Sequence, residues 1–332
     1  MLIKVEVIMM RITNRMINNN YLSNLNSNLE ELTNLNQKVS AGRSYLKASE
    51  NPAAALKAYQ VRQNLSRISL YQNNVGEANS IMTEVETALM ELSNTITNVT
   101  ENVTRGRSGN YNEKDRANIA EVLKNFQFEF FDIANYRSAD KYVFGGSEML
   151  EPPFTLESGV LYYHGIDMNS NSGFSGEASI YYDIGLGLKT NASGQIKEGT
   201  AFNISFPGSE VFGTGTDANG VSNNIFNLIG DIRNAFNADD LSKLDSYVEK
   251  LDSLAENISV KLVDVGQKSS FLTFLKDRLA NNKFNATEKQ TDIECIDAAE
   301  GIVNYNTQKA AYEAALAMGS KILQYSLLDY MK

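Results

Sequence analysis

Seven apolar residues spaced seven apart, Val61, Ile68, Val75, Met82, Leu89, Ile96 and Val103, form an unbroken heptad row, with Ala78, Val85, Leu92 and Val99 as a second row. A repeat held this long keeps one seam facing other helices over many turns, so it demands a long helical rod with packing partners along its length. The segment opens at Asn51-Pro52, a capping residue followed by proline at the first helical position. At a rise of ~1.5 Å per residue it extends roughly 80 Å to Thr104. Gly106 and the following RSGNYNE end it, and a third helix is predicted from Glu113 to about Ala139, with Ile119, Val122, Phe126, Phe130 and Ile133 on one side.

A second seam follows a shorter helix at NNIFNLIGDIRNAF. It comprises Leu241, Leu244, Val248, Leu251, Ala255, Ile258, Leu262 and Val265, and continues loosely through Leu272 and Leu279. Between the two seams, from Tyr142 to about Val221, the sequence is rich in glycine and turns, with alternating runs such as VLYYHGI, ASIYYDI and AFNISF, the pattern of short antiparallel strands. The predicted fold is therefore mainly α with a β insert: a long antiparallel helical bundle or coiled-coil rod formed by the N- and C-terminal halves, with a small antiparallel β module at its tip. The rod core is assigned to Val61, Ile68, Val75, Met82, Leu89 and Ile96 with Leu244, Val248, Leu251 and Ile258. On pattern alone such seams fit an ordinary helical bundle as well as an assembly subunit.

The two end segments pose a separate problem. A helix predicted from about Thr13 to Ser40, stopping at Gly42, carries a stripe of Leu22, Leu25, Leu29, Leu32 and Val39, yet nine Asn lie between Asn14 and Asn36. Asparagine is a poor helix former because its amide competes with the backbone for hydrogen bonds. A polar position such as Asn36 would also suit a register-fixing site in a coiled coil. A last helix is predicted from about Asp292 to the C-terminus, with Ile302, Tyr305, Tyr312, Leu316, Leu323, Leu327 and Tyr330 at near-helical spacing.

Composition excludes several classes of function. With a net charge of -10 and no Lys/Arg cluster, the chain offers no nucleic-acid surface. One Cys and one His leave no disulfide framework and little material for metal or acid-base chemistry. His164 and Cys295 read as structural residues, the latter as a small apolar one. GTGTDANG at Gly213–Gly220 fails as a calcium loop, because alignment on Gly220 puts Gly215 and Phe226 at ligand positions. GLGLK lacks the ending of a phosphate loop. No catalytic, metal or cofactor residue is assigned, and no enzyme is expected. No apolar run approaches the ~20 residues that span a bilayer, and MLIKVEVIMM is too short for a Sec-type signal, so no membrane partner is expected.

MRITNRM (Met10–Met16), SAGRSYLKASENPAAALKAYQVRQNLSRI (Ser40–Ile68), YVFGG (Tyr142–Gly146), PGSEVF (Pro207–Phe212), VGQKSSFLTFLKDRL (Val265–Leu279) and AALAMGSKILQYSLLDYMK at the C-terminus together resemble the bacterial flagellin superfamily, most of all its hook-associated junction members. Residues 1–9 fall outside the pattern and are read as an upstream start extension. The resemblance implies a structural subunit of the flagellum, exported by the type III apparatus and extracellular without a cleaved signal peptide. Such subunits form a ring of copies between hook and filament.

It further implies terminal helices at 10–42 plus 292–332 as an inner-tube pair disordered in the monomer, a helical rod at 51–142 plus 221–282, and an outer β-rich domain at 143–220. The implied partners are further copies of the chain, hook-associated protein 1 on the hook side, flagellin on the filament side, and an export chaperone on the C-terminal helix. Inner-tube contacts are assigned to Leu22, Leu25, Leu29 and Leu32 with Leu316, Leu323, Leu327 and Leu328. An Asn-rich helix with no core of its own would stay unfolded for passage and gain order when lattice neighbours bury its stripe. The rival readings are the filament subunit itself and a surface adhesin using Tyr162, Tyr163, Tyr181 and Tyr182 of the β module.

Overall fold

The computed structural model describes residues 14–138, 140–157, 159–174 and 179–328, with backbone alone at 14–15 and 321–328. The helices are α1 (Asn14–Ala41), α2 (Pro52–Arg107), α3 (Glu113–Ala134), α4 (Gly208–Phe212), α5 (Ile225–Asn237), α6 (Leu244–Glu294) and α7 (Ala298–Leu328). The strands are short: β1 (Arg137–Ser138), β2 (Lys141–Tyr142), β3 (Phe154–Glu157), β4 (Val160–Tyr163), β5 (Ile166–Asp167), β6 (Tyr181–Tyr182) and β7 (Phe202–Asn203). All pairings are antiparallel, in sheets ordered β1-β2, β3-β4-β5 and β6-β7. The chain is thus mainly α with a β insert, as the two sequence periods dictate.

The chain divides into two compact units. One takes the residues up to Arg67 and those from Lys283, and the other spans Ile68–Asn282. In the Ile68–Asn282 unit the heptad rows of α2 carry the core. Val75, Ala78, Met82, Val85, Leu89, Leu92, Ile96, Val99 and Val103 are all buried, as is Ile68. Arg107 meets Asp245 at 2.7 Å, while Ile96, Thr100, Asp252 and Ala255 line one groove, so α2 and α6 run antiparallel here. From α6 the core takes Leu244, Leu251, Ile258, Val265, Leu272 and Leu279, a row with a strict spacing of seven.

Two rod-core assignments differ from the structure. Val248 is only half-buried, because the second row of α6 runs through Tyr247, Leu254 and Leu275, one residue earlier in the repeat. Val61 is half-buried and belongs to the other unit, beyond the end of the deep core. The third helix also stops earlier than its pattern suggests. The amide of Asn135 pairs with both the N–H and the C=O of Phe154 (3.1 Å each), and the chain then enters the β1-β2 pair, with Arg137 opposite Tyr142. Its buried stripe is Ile119, Leu123, Gln127 and Phe130, with Val122 exposed. Gln127 enters the core because its amide donates to the Phe226 carbonyl and accepts from Arg233 at 2.8 Å, tying α3 to α5.

An aromatic cluster closes the β insert. Phe154 packs on Tyr163 and Phe212, and Phe144 on Phe212, with ring centroids 5.0–5.2 Å apart. It joins YVFGG to PGSEVF, since Gly145 bridges Pro207 and Gly208 N–H donates to the Phe144 carbonyl at 2.9 Å.

Candidate assembly surfaces

In the unit built from both chain ends, α1 packs on α7. The half-buried residues of α1 include the series Tyr21, Leu25, Asn28, Leu32, Leu35 and Val39, beside Asn18, Asn34 and Lys38; those of α7 are the series Tyr305, Gln308, Tyr312 and Ala315, and Gly301 and Gly319 are fully covered. Both sets alternate by three and four, the spacing of a two-helix coiled-coil seam. Tyr21 Oη donates to the Ala315 carbonyl at 2.9 Å, and Gln308 Nε2 lies 3.4 Å from the Asn28 carbonyl. A Cβ on Gly301 would meet Val39 at 3.2 Å. The helices are therefore antiparallel. Gly319 permits the close approach of Tyr21, whose ring a Cβ there would displace.

The seam splits the predicted stripe. Leu25, Leu32 and Val39 face α7, whereas Leu22 and Leu29 are 53% and 44% exposed. On α7, Leu316 is 45% exposed, alongside Ile302, Val303 and Met318. The side chains of Leu323, Leu327 and Leu328 lie outside the described residues, as do residues 1–9. Sequence reasoning missed Tyr21, Leu35, Gln308 and Gly319 as seam residues. Their signal was the three-and-four spacing that runs from Tyr21 through Asn28 and Leu35 on α1 and through Gln308 and Gly319 on α7, a phase different from that of Leu22 and Leu29.

The corner joining these helices to α2 and α6 is fastened by backbone and charge. Gly42 ends α1 with φ +65°, the left-handed conformation that favours glycine. Arg43 then bridges Cys295, Ser44 N–H donates to the Glu294 carbonyl, and Ile296 N–H donates to the Gly42 carbonyl. Glu294 is buried and meets Arg62 at 2.7 Å, and Lys38 meets Glu50 at 3.0 Å. The Arg62 guanidinium holds the Glu294 carboxyl below the usual glutamate range, against the opposing effect of burial. Cys295 is exposed, contrary to its reading as an apolar packing residue. The chain leaves helix at this point and the backbone bridge, not the thiol, occupies the inside.

Among the described residues no large apolar side chain of this unit is buried. Its buried hydrophobic residues are Ala58 and Ala286, among the described residues. Where a rod of this length would hide leucine, this unit leaves it half or largely exposed.

Among the described residues no group of His, Cys, Asp and Glu is arranged to hold a metal, and no helix is long and apolar enough to cross a membrane. His164 sits at φ +48°, with Nε2 3.2 Å from the Gly145 carbonyl and Nδ1 3.6 Å from Glu148. Asp217 in GTGTDANG accepts from the N–H groups of Asn219 and Val221, which makes that segment a turn. Of the four tyrosines assigned to a binding platform, Tyr163 is buried in the aromatic cluster and Tyr182 donates to Glu77 at 3.1 Å. The four are divided between β4 and β6, in different sheets, and present no single aromatic face.

Residues 12–151 match the bacterial flagellin N-terminal helical region. The chain is also similar to flagellar hook-associated protein 3 of two bacteria. It is 25% identical over 157 residues to that protein of Salmonella typhimurium, covering 47% of this chain and 49% of the relative. It is 22% identical over 151 residues to the Escherichia coli protein of the same name, covering 45% and 48%. The matched stretch thus spans about half the length of these curated relatives.

Solved structures share the fold. Flagellar hook-associated protein 3 from Legionella pneumophila superposes with a TM-score of 0.56 at 14% identity, over 71% of this chain and 98% of that one. Bacillus cereus FlgL superposes with a TM-score of 0.52 at 16% identity, over 70% and 99%.

Proposed function

We propose that this chain is a non-enzymatic structural subunit of the bacterial flagellum, placed as a ring of copies at the junction between hook and filament after type III export. The observation that carries this reading is the contrast in burial. The terminal helices form a seam of tyrosines, amides and glycines, leaving Leu22, Leu29, Leu316, Ile302 and Val303 uncovered. A helix pair so thinly packed gains little from its own contacts against the entropy of ordering, and becomes stable when neighbours bury the remaining apolar face.

In this reading 10–42 and 292–332 line the inner tube, 51–142 with 221–282 form the rod, and 143–220 faces outward. Leu22, Leu25, Leu29, Leu32, Leu316, Leu323, Leu327 and Leu328 make the inner-tube contacts. Hook-associated protein 1 and flagellin flank the ring, and an export chaperone takes the C-terminal helix. The protein then works outside the cell.

Deletion in the source bacterium tests the assignment. Cells should build hooks and secrete flagellin without assembling filaments, and normal filaments in the deletion strain would refute it. A second reading is the filament subunit itself, since residues 12–151 match the bacterial flagellin N-terminal helical region. Copy number separates them, because a junction ring needs a handful of subunits and a filament thousands.

A further inference from the structure

Two surfaces of the Ile68–Asn282 unit are complementary and lie at the same level of the α2-α6 pair. The first is a cleft of about 400 Å³ between α2, the β1-β2 hairpin and β6. Its floor is apolar, made by Ile81 with the buried Val143 and Met149. Its rim carries Glu77, held by the Tyr182 hydroxyl at 3.1 Å, and Glu84, held by the Tyr136 hydroxyl at 2.9 Å. Neither carboxylate has a cationic partner among the described residues. Lys141 and the Arg137–Asp140 pair share the rim, which stays acidic by one charge. The acidity extends along the helix, since α2 between Ile68 and Thr104 holds five Glu and no Lys or Arg.

The second surface is the outer face of α6. Val260, Val263 and Phe274 are 59–62% exposed and Phe271 is partly so, at a spacing that sets them in one stripe. Arg278 lies over the Phe274 ring at 5.9 Å and has no carboxylate partner among the described residues. From Val260 to Leu279 α6 carries four cationic and two acidic residues. An exposed aromatic capped by an arginine is the kind of anchor that protein interfaces use.

The level of the two surfaces is fixed by the β6-β7 ladder. Tyr182 pairs with Phe202 across it, and Tyr182 reaches Glu77 on α2 while Phe202 stacks on Phe271 of α6. A contact between two different surfaces is heterologous and repeats from copy to copy. When both surfaces share one level, the repeat carries little rise along the helix pair, as a ring requires, and it makes a ring where its rotation closes.

We infer that the Phe274-Arg278 knob of one copy seats in the Glu77-Glu84 cleft of the next. This rests on the junction-ring reading and names the surface that joins its subunits. The test places a benzophenone amino acid at Phe274 of the full chain, expressed in the source bacterium in place of its own copy, with photo-cross-linking in isolated flagella. The expected product joins residue 274 to a peptide of the cleft in a second copy. A product with a different protein, with another surface of this chain, or no product in flagella that contain the subunit overturns the inference while leaving the junction reading intact. Loss of the junction reading would instead show as normal filaments in the deletion strain.

Arg278→Glu, which alters an exposed residue and should leave the melting curve unchanged, is expected to lower self-association about tenfold. Glu77→Lys in the same chain should restore it. Self-association equal to wild type in Arg278→Glu, or no recovery in the double variant, would count against the pairing.

Discussion

Both units are built on paired antiparallel helices, and they differ in what those helices bury. Between Ile68 and Asn282, α2 and α6 hide leucine, isoleucine, valine and methionine at nearly every seam position. In the unit of the chain ends, the buried hydrophobic residues among those described are two alanines. A heptad period therefore specifies that helices will meet, while side-chain volume at the seam decides whether the meeting is stable alone. The first unit has a core in the ordinary sense. The second has a register, set by Tyr21, Asn28, Gln308 and two glycines, with stability left to what covers it.

The comparison breaks most visibly in the deep core. Leu92→Ala should cost about 2–5 kcal/mol of unfolding free energy, because it opens a cavity that fully buried neighbours cannot fill. Urea denaturation of the full chain measures it, and a cost below 1 kcal/mol, as at a surface site, would remove the contrast between the units. Gly319→Ala should cost about 1–3 kcal/mol, confined to the terminal pair, because the new methyl displaces Tyr21 and breaks its bond to Ala315. Amide exchange resolves this as faster opening of α1 and α7 with α2 between Val75 and Val103 unchanged. Equally faster exchange in both regions would show that they unfold together.

The corner at Glu294 gives a pH dependence. Its carboxyl is held below its ordinary 4.5, chiefly by hydrogen bonding and charge attraction from Arg62. A lowered folded value means that the unfolded chain binds the proton more readily. The contribution to stability is therefore present above that ordinary value and disappears as pH falls below it, through the lowered one. Melting curves between neutral and acid pH should show this loss in wild type, and Glu294→Gln should flatten it.

The smallest effect is expected from charges on the uncovered leucines. Leu22→Asp or Leu29→Asp should leave monomer stability within about 0.5 kcal/mol, since both side chains face solvent. The same change at Leu25 or Leu32, on the seam, should loosen the α1-α7 pair. Incorporation into flagella, scored by filament assembly, should fall for all four. Normal assembly with Leu22→Asp would show that this face of α1 is not an inner-tube contact.

Much of this architecture could be read from residue order. The seven-residue rows of α2 and α6 predicted which elements form the core, because a side chain's direction on a helix follows from its position. The Asn51-Pro52 start was equally legible: Asn51 Oδ1 accepts from Ala54 N–H at 3.0 Å, as a capping side chain should. Less legible were the places where a tertiary bond overrode a local preference. Asn135 stops α3 by pairing with Phe154, nineteen residues away, and Gln127 is buried because Phe226 and Arg233, on another helix, satisfy its amide.

Sequence by itself determined the helical period and the β insert, since each follows from residue type and spacing alone. Tertiary structure alone decided which leucines of α1 turn toward α7 and which are left for a neighbour. It also placed Glu294 inside and Cys295 outside, and set the Glu77 cleft level with Phe274. Those outcomes depend on the rotation of one helix against another. A chain's local propensities leave that angle open, and only the fit of Tyr21 over Gly319 and of Glu294 against Arg62 fixes it.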